Sequence, residues 1–377
     1  MKRSEILVCD QTIREGMQYR GLVFTVKERL KILEFQEALG VDISQAAYPS
    51  AHESEKSALK RLKNEACKRN YTIRIAGLGR AIEKDVDQIA ETGTVEVHMH
   101  SVLKRGCLNR DRFEESMKSL EKVIRYARSK INDPCIAVSI LDIGMTDPDL
   151  LKETAAFLAH EMCIDFLTLP DTSGIMAPNL LYERIRDIVS SLKNSRTRIG
   201  VHCHNDMGMA TANTVIGAVA GASLIEVSVL GIGERNGIGD IFLAGSVLKK
   251  QGYRINLKTE NIKKFREYYE FVDRLVSEKT GIGLLDYNTP FFGNSNHTHV
   301  AGTHGTGSYG LGKNEECLLN VLCGKHLVAK FLDSNNILYD KEHLPAIVKM
   351  IKDRSAEQGR RILKEDVSDI VRIVNLI

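Results

Sequence analysis

Apolar and polar positions follow two rhythms along the first two-thirds of the chain. Short β-branched or apolar runs recur at 6–10 (ILVCD), 41–49, 72–79, 94–100, 135–142, 165–171, 198–206 and 224–234. Longer stretches with helical spacing lie between them, as at 26–40, 83–93, 113–130, 147–162 and 179–193. Near-continuous apolar strands alternating with amphipathic helices predict a parallel sheet covered by helices. Eight such runs over roughly 250 residues match the size of a (β/α)8 TIM barrel. A doubly wound open sheet would carry a G-x-G-x-x-G loop after an early strand, and none follows the first strand here. The reading is therefore an α/β chain with a (β/α)8 catalytic barrel over 1–255. From 256 to 377 the rhythm changes. A helical stretch (260–280) leads into a segment rich in Gly, Asn and His (280–312), and two more helical patterns follow near 316–333 and 341–376. This predicts a C-terminal, mainly helical subdomain. A loop of that length is usually functional or disordered, and His297, His299 and His304, with His326 just beyond, favour function.

Composition narrows the classes further. A chain of 377 residues that is 43% hydrophobic can bury a large core, which excludes intrinsic disorder. Lys+Arg 52 against Asp+Glu 49 gives +3, too balanced to imply a nucleic-acid or acidic-membrane partner. No apolar run has the length of a membrane span, and the start MKRSEILVCD lacks a signal-peptide apolar region, so a soluble cytoplasmic protein is expected. The eight cysteines form no C-x-x-C pair, which argues against a zinc ribbon, a thioredoxin motif or a disulfide framework.

In a (β/α)8 barrel the chemistry sits where strands end and βα-loops begin. The out-of-place polar residues fall there: Asp10 with Arg14 and Glu15, His98 and His100, Asp142, Asp171, His202 with His204, and Glu234. In V-H202-C-H204-N-D the two histidines share one strand face, so both can offer nitrogen to one metal. Taken alone, an H-x-H pair fits a core histidine beside a surface one equally well. In D10-Q-T-I-R14-E15-G16, Glu15 would complete a two-His-one-carboxylate set. Arg14 would clamp a substrate carboxylate or a developing oxyanion. In isolation the same Arg-Glu pair fits a surface ion pair equally well. L169-P-D171-T172-S-G174 could place a Thr172 hydroxyl on a substrate oxygen, though as a fragment it is a β-turn. G231-I-G233-E234-R235-N236-G237 suits close backbone approach to a ligand or anion binding by exposed amides.

Together these four motifs resemble, in order and position, the metal-dependent acyl-CoA condensing enzymes on a TIM barrel. That family holds the 2-isopropylmalate, homocitrate and citramalate synthases, with hydroxymethylglutaryl-CoA lyase as a cousin. The likeness runs on through HTHVAGTH (297–304) and NVLCGKH (320–326). The chain looks like the short homocitrate-synthase form without a regulatory domain. The resemblance implies a divalent metal (Mg, Mn or Zn) on Glu15, His202 and His204, and acetyl-CoA as co-substrate with a 2-oxo acid. It implies an acyltransferase of amino-acid biosynthesis, working as a homodimer. It places Arg14 at the keto oxygen and Thr172 at the 2-oxo acid carboxylate. His299 falls on the family's acid–base histidine, often delivered across the dimer interface. His98, His100, Ser139 and Leu141 would line the substrate pocket.

Three departures qualify the substrate. Leu141 stands where the family has a glutamate in S-x-E-D, Ala137 where homocitrate-type members carry an arginine, and Gln45 where most members have glutamate. Two other readings stay open. One is an acyl-CoA lyase or aldolase running the cleavage direction, which the cysteine-free loop after strand eight disfavours. The other is a barrel that has lost catalysis and serves as a binding protein.

Overall fold

The computed structural model describes residues 4–101, 110–299 and 316–376. Eight parallel strands close into a barrel in chain order: β1 (Leu7–Asp10), β2 (Ile43–Ala47), β3 (Arg74–Arg80), β4 (Glu96–His100), β5 (Cys135–Ser139), β6 (Phe166–Asp171), β7 (Arg198–Cys203) and β8 (Leu224–Val227). Register along β1 and β8, from Leu7↔Leu224 to Asp10↔Val227, closes the ring. Cys9, Ile43, Ala76, Ala137, Phe166 and Leu224 pack inside it. The TIM barrel read from the sequence is the fold observed.

The helices are α1 (Val26–Leu39), α2 (Glu53–Lys68), α3 (Glu83–Ala90), α4 (Arg110–Lys130), α5 (Pro148–Ala156), α6 (Pro178–Ser191), α7 (Ala210–Val219) and α8 (Ile241–Lys250). Their ends are written in the sequence. Thr25 and Glu28 form a reciprocal capping box at the start of α1, and Gly40 ends it at φ 76°. Asp147 caps α5 ahead of Pro148 at its first position. Gly217 lets α7 lie directly on β7, since a Cβ there would stand 2.7 Å from the Val201 side chain.

The first compact unit runs to Leu284, beyond the 255 boundary expected from the sequence. The reason is α9 (Ile262–Thr280), whose Tyr268 stacks on Phe35 at 5.1 Å and donates its hydroxyl to Asp10 Oδ2 at 2.9 Å. The second unit, Leu285–Ile377, has its own core. There α10 (Lys325–Ser334), α11 (Leu344–Gln358) and α12 (Lys364–Asn375) enclose Val328, Leu332, Ile351, Val367 and Ile370. Two short parallel strands, β9 (Thr298–His299) and β10 (Glu316–Cys317), belong to it as well. Among the described residues no helix is long and apolar enough to cross a membrane.

Candidate active site

The loop after β1 is built by local hydrogen bonds. Asp10 Oδ1 accepts from the Thr12 amide at 2.8 Å, and Thr12 Oγ1 in turn accepts from the Val229 amide at 2.9 Å. Asp10 is thus a buried brace joining β1, β8 and α9 rather than a charge offered to a ligand. The turn it fixes projects Arg14 and Glu15 toward the barrel mouth. A guanidinium can only donate, and four of its five N–H groups are taken. Nε goes to Gln45 Oε1 (2.6 Å), one Nη to Glu15 and Gln18, and the other Nη to Gln11 (2.8 Å).

Glu15 is buried, which alone would push its carboxyl up. Arg14, followed by His202, the Glu234 amide (3.0 Å) and His204, brings it down to about 2 instead. The glycine loop explains that amide. A Cβ on Gly233 would meet Glu15 Cγ at 2.9 Å, and one on Gly237 (φ 83°) would strike the Gly231 carbonyl. The glycines therefore let the loop close over the protein's own carboxylate. Arg235 completes the rim, binding Asp206 and the Thr172 carbonyl.

His202 and His204 project together from the end of β7, with their Nε2 atoms 3.2 Å apart. Burial, then the neighbouring His202, pushes His204 down to about 3, so it stays a neutral imidazole over the physiological range. His204 Nδ1 is buried without a hydrogen-bond partner, and His202 Nδ1 faces Glu226 Oε2 at 3.1 Å. Two facing imidazoles, one of them partly orphaned, next to an ionised carboxylate fit the donor chemistry of a divalent metal. In this conformation Glu15 is engaged by Arg14 and Glu234. Among the described residues, the donors converging within 4.8 Å are instead Cys9, His98 and Glu226, a buried group deeper in the barrel of a composition that could hold a metal.

A cavity of about 670 Å³ opens above these residues. Arg14, Glu15, His100, Ser139, Leu141, Thr172, His202 and His204 all line it, together with Tyr48, Leu78 and Pro170. His100 Nε2 stands 3.3 Å from the Tyr48 hydroxyl, and burial, then Arg14, lowers its pKa. Thr172 Oγ1 accepts the Asp142 amide at 3.0 Å, leaving its own O–H to donate. His98 does not reach this cavity; it lies buried beside Gln45. The His299 side chain and His304 fall outside the described residues. Gln11 and Glu226, which with Gln45 tie Arg14 to the interior, were not singled out in the sequence, and Gln45 stood out only as a departure from the family's glutamate. For Glu226 the one available signal was polarity inside an otherwise apolar strand. A larger hollow, about 1390 Å³, opens at the opposite end beside Arg74, Asp165 and Arg198, the face that serves stability in this fold.

A parallel barrel that gathers metal-type donors, a clamped arginine and a cavity at the ends of its strands defines a TIM-barrel enzyme. The HMGL-like family model matches residues 5–268, and the chain belongs to that family. Over 375 residues it is 32% identical to the 2-isopropylmalate synthase of Sulfurisphaera tokodaii, covering 95% of this chain and 92% of that protein. A probable 2-isopropylmalate synthase of Methanosarcina acetivorans is 29% identical over 392 residues, covering 99% of this chain and 72% of that one. Among solved structures, the HMG-CoA lyase of Bacillus subtilis superposes with a TM-score of 0.60 at 16% identity, covering 75% of this chain and 96% of that one. That likeness is one of fold.

Proposed function

We propose that the protein is a condensing enzyme of the 2-isopropylmalate synthase type. It joins acetyl-CoA to a 2-oxo acid and, with one water, yields a 2-hydroxy-2-alkyl dicarboxylic acid and free CoA. The observation that carries this reading is the facing His202 and His204 Nε2 pair beside ionised Glu15 and clamped Arg14, at the floor of the mouth cavity. A divalent metal on Glu15, His202 and His204 would supply Lewis-acid polarisation of the keto group.

The protein's own groups do the rest. The second N–H on the Arg14 Nη that binds Gln11 is the one its partners leave for the oxygen that gains charge as the new C–C bond forms. One preorganised donor of this kind is worth about 3–4 kcal/mol. Thr172 donates its hydroxyl to the substrate carboxylate. Among the described lining residues Arg14 is the only Arg or Lys, and Leu78, Leu141 and Pro170 face the same space. This favours a 2-oxo acid with a neutral side chain over one with a second carboxylate. The base that takes the acetyl proton is His299, supplied across a homodimer by the post-barrel unit.

The test is CoA release from acetyl-CoA by metal-loaded protein against glyoxylate, pyruvate, 2-oxoisovalerate, oxaloacetate and 2-oxoglutarate, read by mass spectrometry. Release with one neutral-chain oxo acid is the expected outcome. Silence across the panel would move the assignment to another acyl-CoA or to cleavage. For the shared site, mixing Arg14→Ala with His299→Ala subunits should restore partial activity; none after verified subunit exchange rules sharing out.

A further inference from the structure

Two glutamines run inward from Arg14, and their ends differ. Because a guanidinium has no acceptor, each glutamine must present its carbonyl to Arg14 and its amide to whatever lies beyond. Gln11 passes its amide to Glu226 Oε2 at 2.7 Å, a carboxylate that accepts without condition. Gln45 passes its amide to His98 Nδ1 at 2.9 Å, and an imidazole nitrogen accepts only if it carries no proton.

We infer that Gln45 and His98 are a positioning pair for Arg14, with His98 locked as the neutral tautomer protonated on Nε2. The inference rests on the assignment of Arg14 to the reacting oxygen. The remainder of the interior agrees with it. Nε2 is buried without a hydrogen-bond partner, and its nearest anion is Glu96 Oε1 at 3.6 Å, the side on which a proton is stabilised. Glu96 is itself anchored at 3.3 Å by Arg74. His98 stands in register with Ala137 and Leu78, which hold it within the barrel wall without offering a competing polar group. On the other side, the register of β2 against β3 shifts between Gln45 and Ala47. A bulge of this kind re-aims a side chain next to a site. A glutamate at 45 could accept from Arg14 and His98 alike, and would place a proton on His98 Nδ1. Gln45 and His98 therefore make sense as a pair. The same logic bears on the Cys9, His98 and Glu226 group. A metal there would have to displace the Nε2 proton or break the Gln45 bond.

The experiment is long-range proton–nitrogen NMR on full-length protein labelled at histidine, without substrate, with His98 assigned by its loss in His98→Gln. Wild type should show an unprotonated Nδ1 and a protonated Nε2, and Gln45→Glu should move a proton to Nδ1. In turnover, His98→Ala should lower kcat about tenfold with KM for the oxo acid within about twofold, since a misplaced catalytic group costs rate more than binding. Gln45→Ala/His98→Ala should then be no slower than Gln45→Ala, as expected for two residues acting through one contact. A protonated Nδ1 in wild type, or additive losses in the double variant, overturns the inference. So does a thiolate-to-metal absorption band in the Co(II)-loaded protein that disappears in Cys9→Ser. The tautomer is read without turnover, so it stands or falls independently of the proposed reaction, and of whether His98→Ala folds.

Discussion

Two layers of this barrel hold similar side chains and are put to different use. At the mouth, His202, His204 and Glu15 stand beside open space, and the two imidazoles face each other through Nε2 at 3.2 Å. One layer down, Cys9, His98 and Glu226 are closer together as a set. There, however, Glu226 accepts from Gln11 and Thr168, and His98 from Gln45. The comparison teaches that donor type and proximity are not the whole condition for holding a metal. In the deeper set Glu226 and His98 already serve hydrogen bonds, while at the mouth Glu15 is the member engaged, by Arg14 and Glu234.

The sharpest way to break this comparison is to remove one member of each kind at the mouth. His204→Ala should abolish turnover, about a thousandfold or more given several kcal/mol of lost charge stabilisation, and lower metal content in parallel. Arg14→Ala should cost about a hundred- to a thousandfold in kcat with metal still bound. Metal at full occupancy in His204→Ala, measured by elemental analysis, would sink the assignment of the mouth.

A smaller effect is expected from Gly233→Ala. The added methyl would stand 2.9 Å from Glu15 Cγ, so Glu15 must move although its own sequence is untouched. Metal affinity should fall about 10- to 100-fold, the range for disturbing the groups that orient a ligand, with thermal stability nearly unchanged. An unaltered affinity by titration would mean that Glu15 is not a ligand.

Much of this layout was legible in the sequence, for reasons that also mark where legibility ends. Strand and helix periods gave the barrel because each buries a different face. Strand ends were less exact. The run 135–142 stops as strand at Ser139 because Asp142 takes φ 57°, and 224–234 stops at Val227 because Leu230 takes φ 56°. The helix 262–280 was read outside the barrel because its tie to Asp10 through Tyr268 spans 258 residues. Arg14, Glu15, Thr172, His202 and His204, which line the mouth cavity, stand out in the sequence because they cluster in short motifs at strand ends. Alternation along β4 placed His98 and His100 on one face but not at one depth. His100 lines the cavity and His98 does not. Depth inside a barrel depends on strand stagger, which no single strand encodes.

The last test concerns charge rather than lone pairs, and its effect is the smallest. Glu226 and Glu96 are buried, yet both are held below the ordinary carboxylate range. For Glu226, the His202 imidazole beside it and the Arg14 charge outweigh burial; for Glu96, the neighbouring His98 ring and the Arg74 charge do so. Asp240, which caps α8, is also buried, and what opposes burial there is neutral hydrogen-bond donors: the Leu243 amide at 2.8 Å and the Tyr269 hydroxyl at 2.7 Å. Burial dominates there and raises it to about 6. The folded state therefore holds this proton more tightly than the unfolded chain does. The stability it contributes is complete below the unfolded pKa, near 4, and is lost as pH rises through 6. Between pH 7.5 and pH 5 this amounts to about 1 kcal/mol in favour of the folded state. Asp240→Asn keeps an oxygen for the helix cap and cannot titrate. The stability difference between wild type and Asp240→Asn, from denaturant unfolding at the two pH values, should shift toward wild type by about that amount at pH 5. An unchanged difference would place Asp240 with Glu226, ionised throughout, and the contrast between carboxylates beside a charged group and one held by neutral donors would fail.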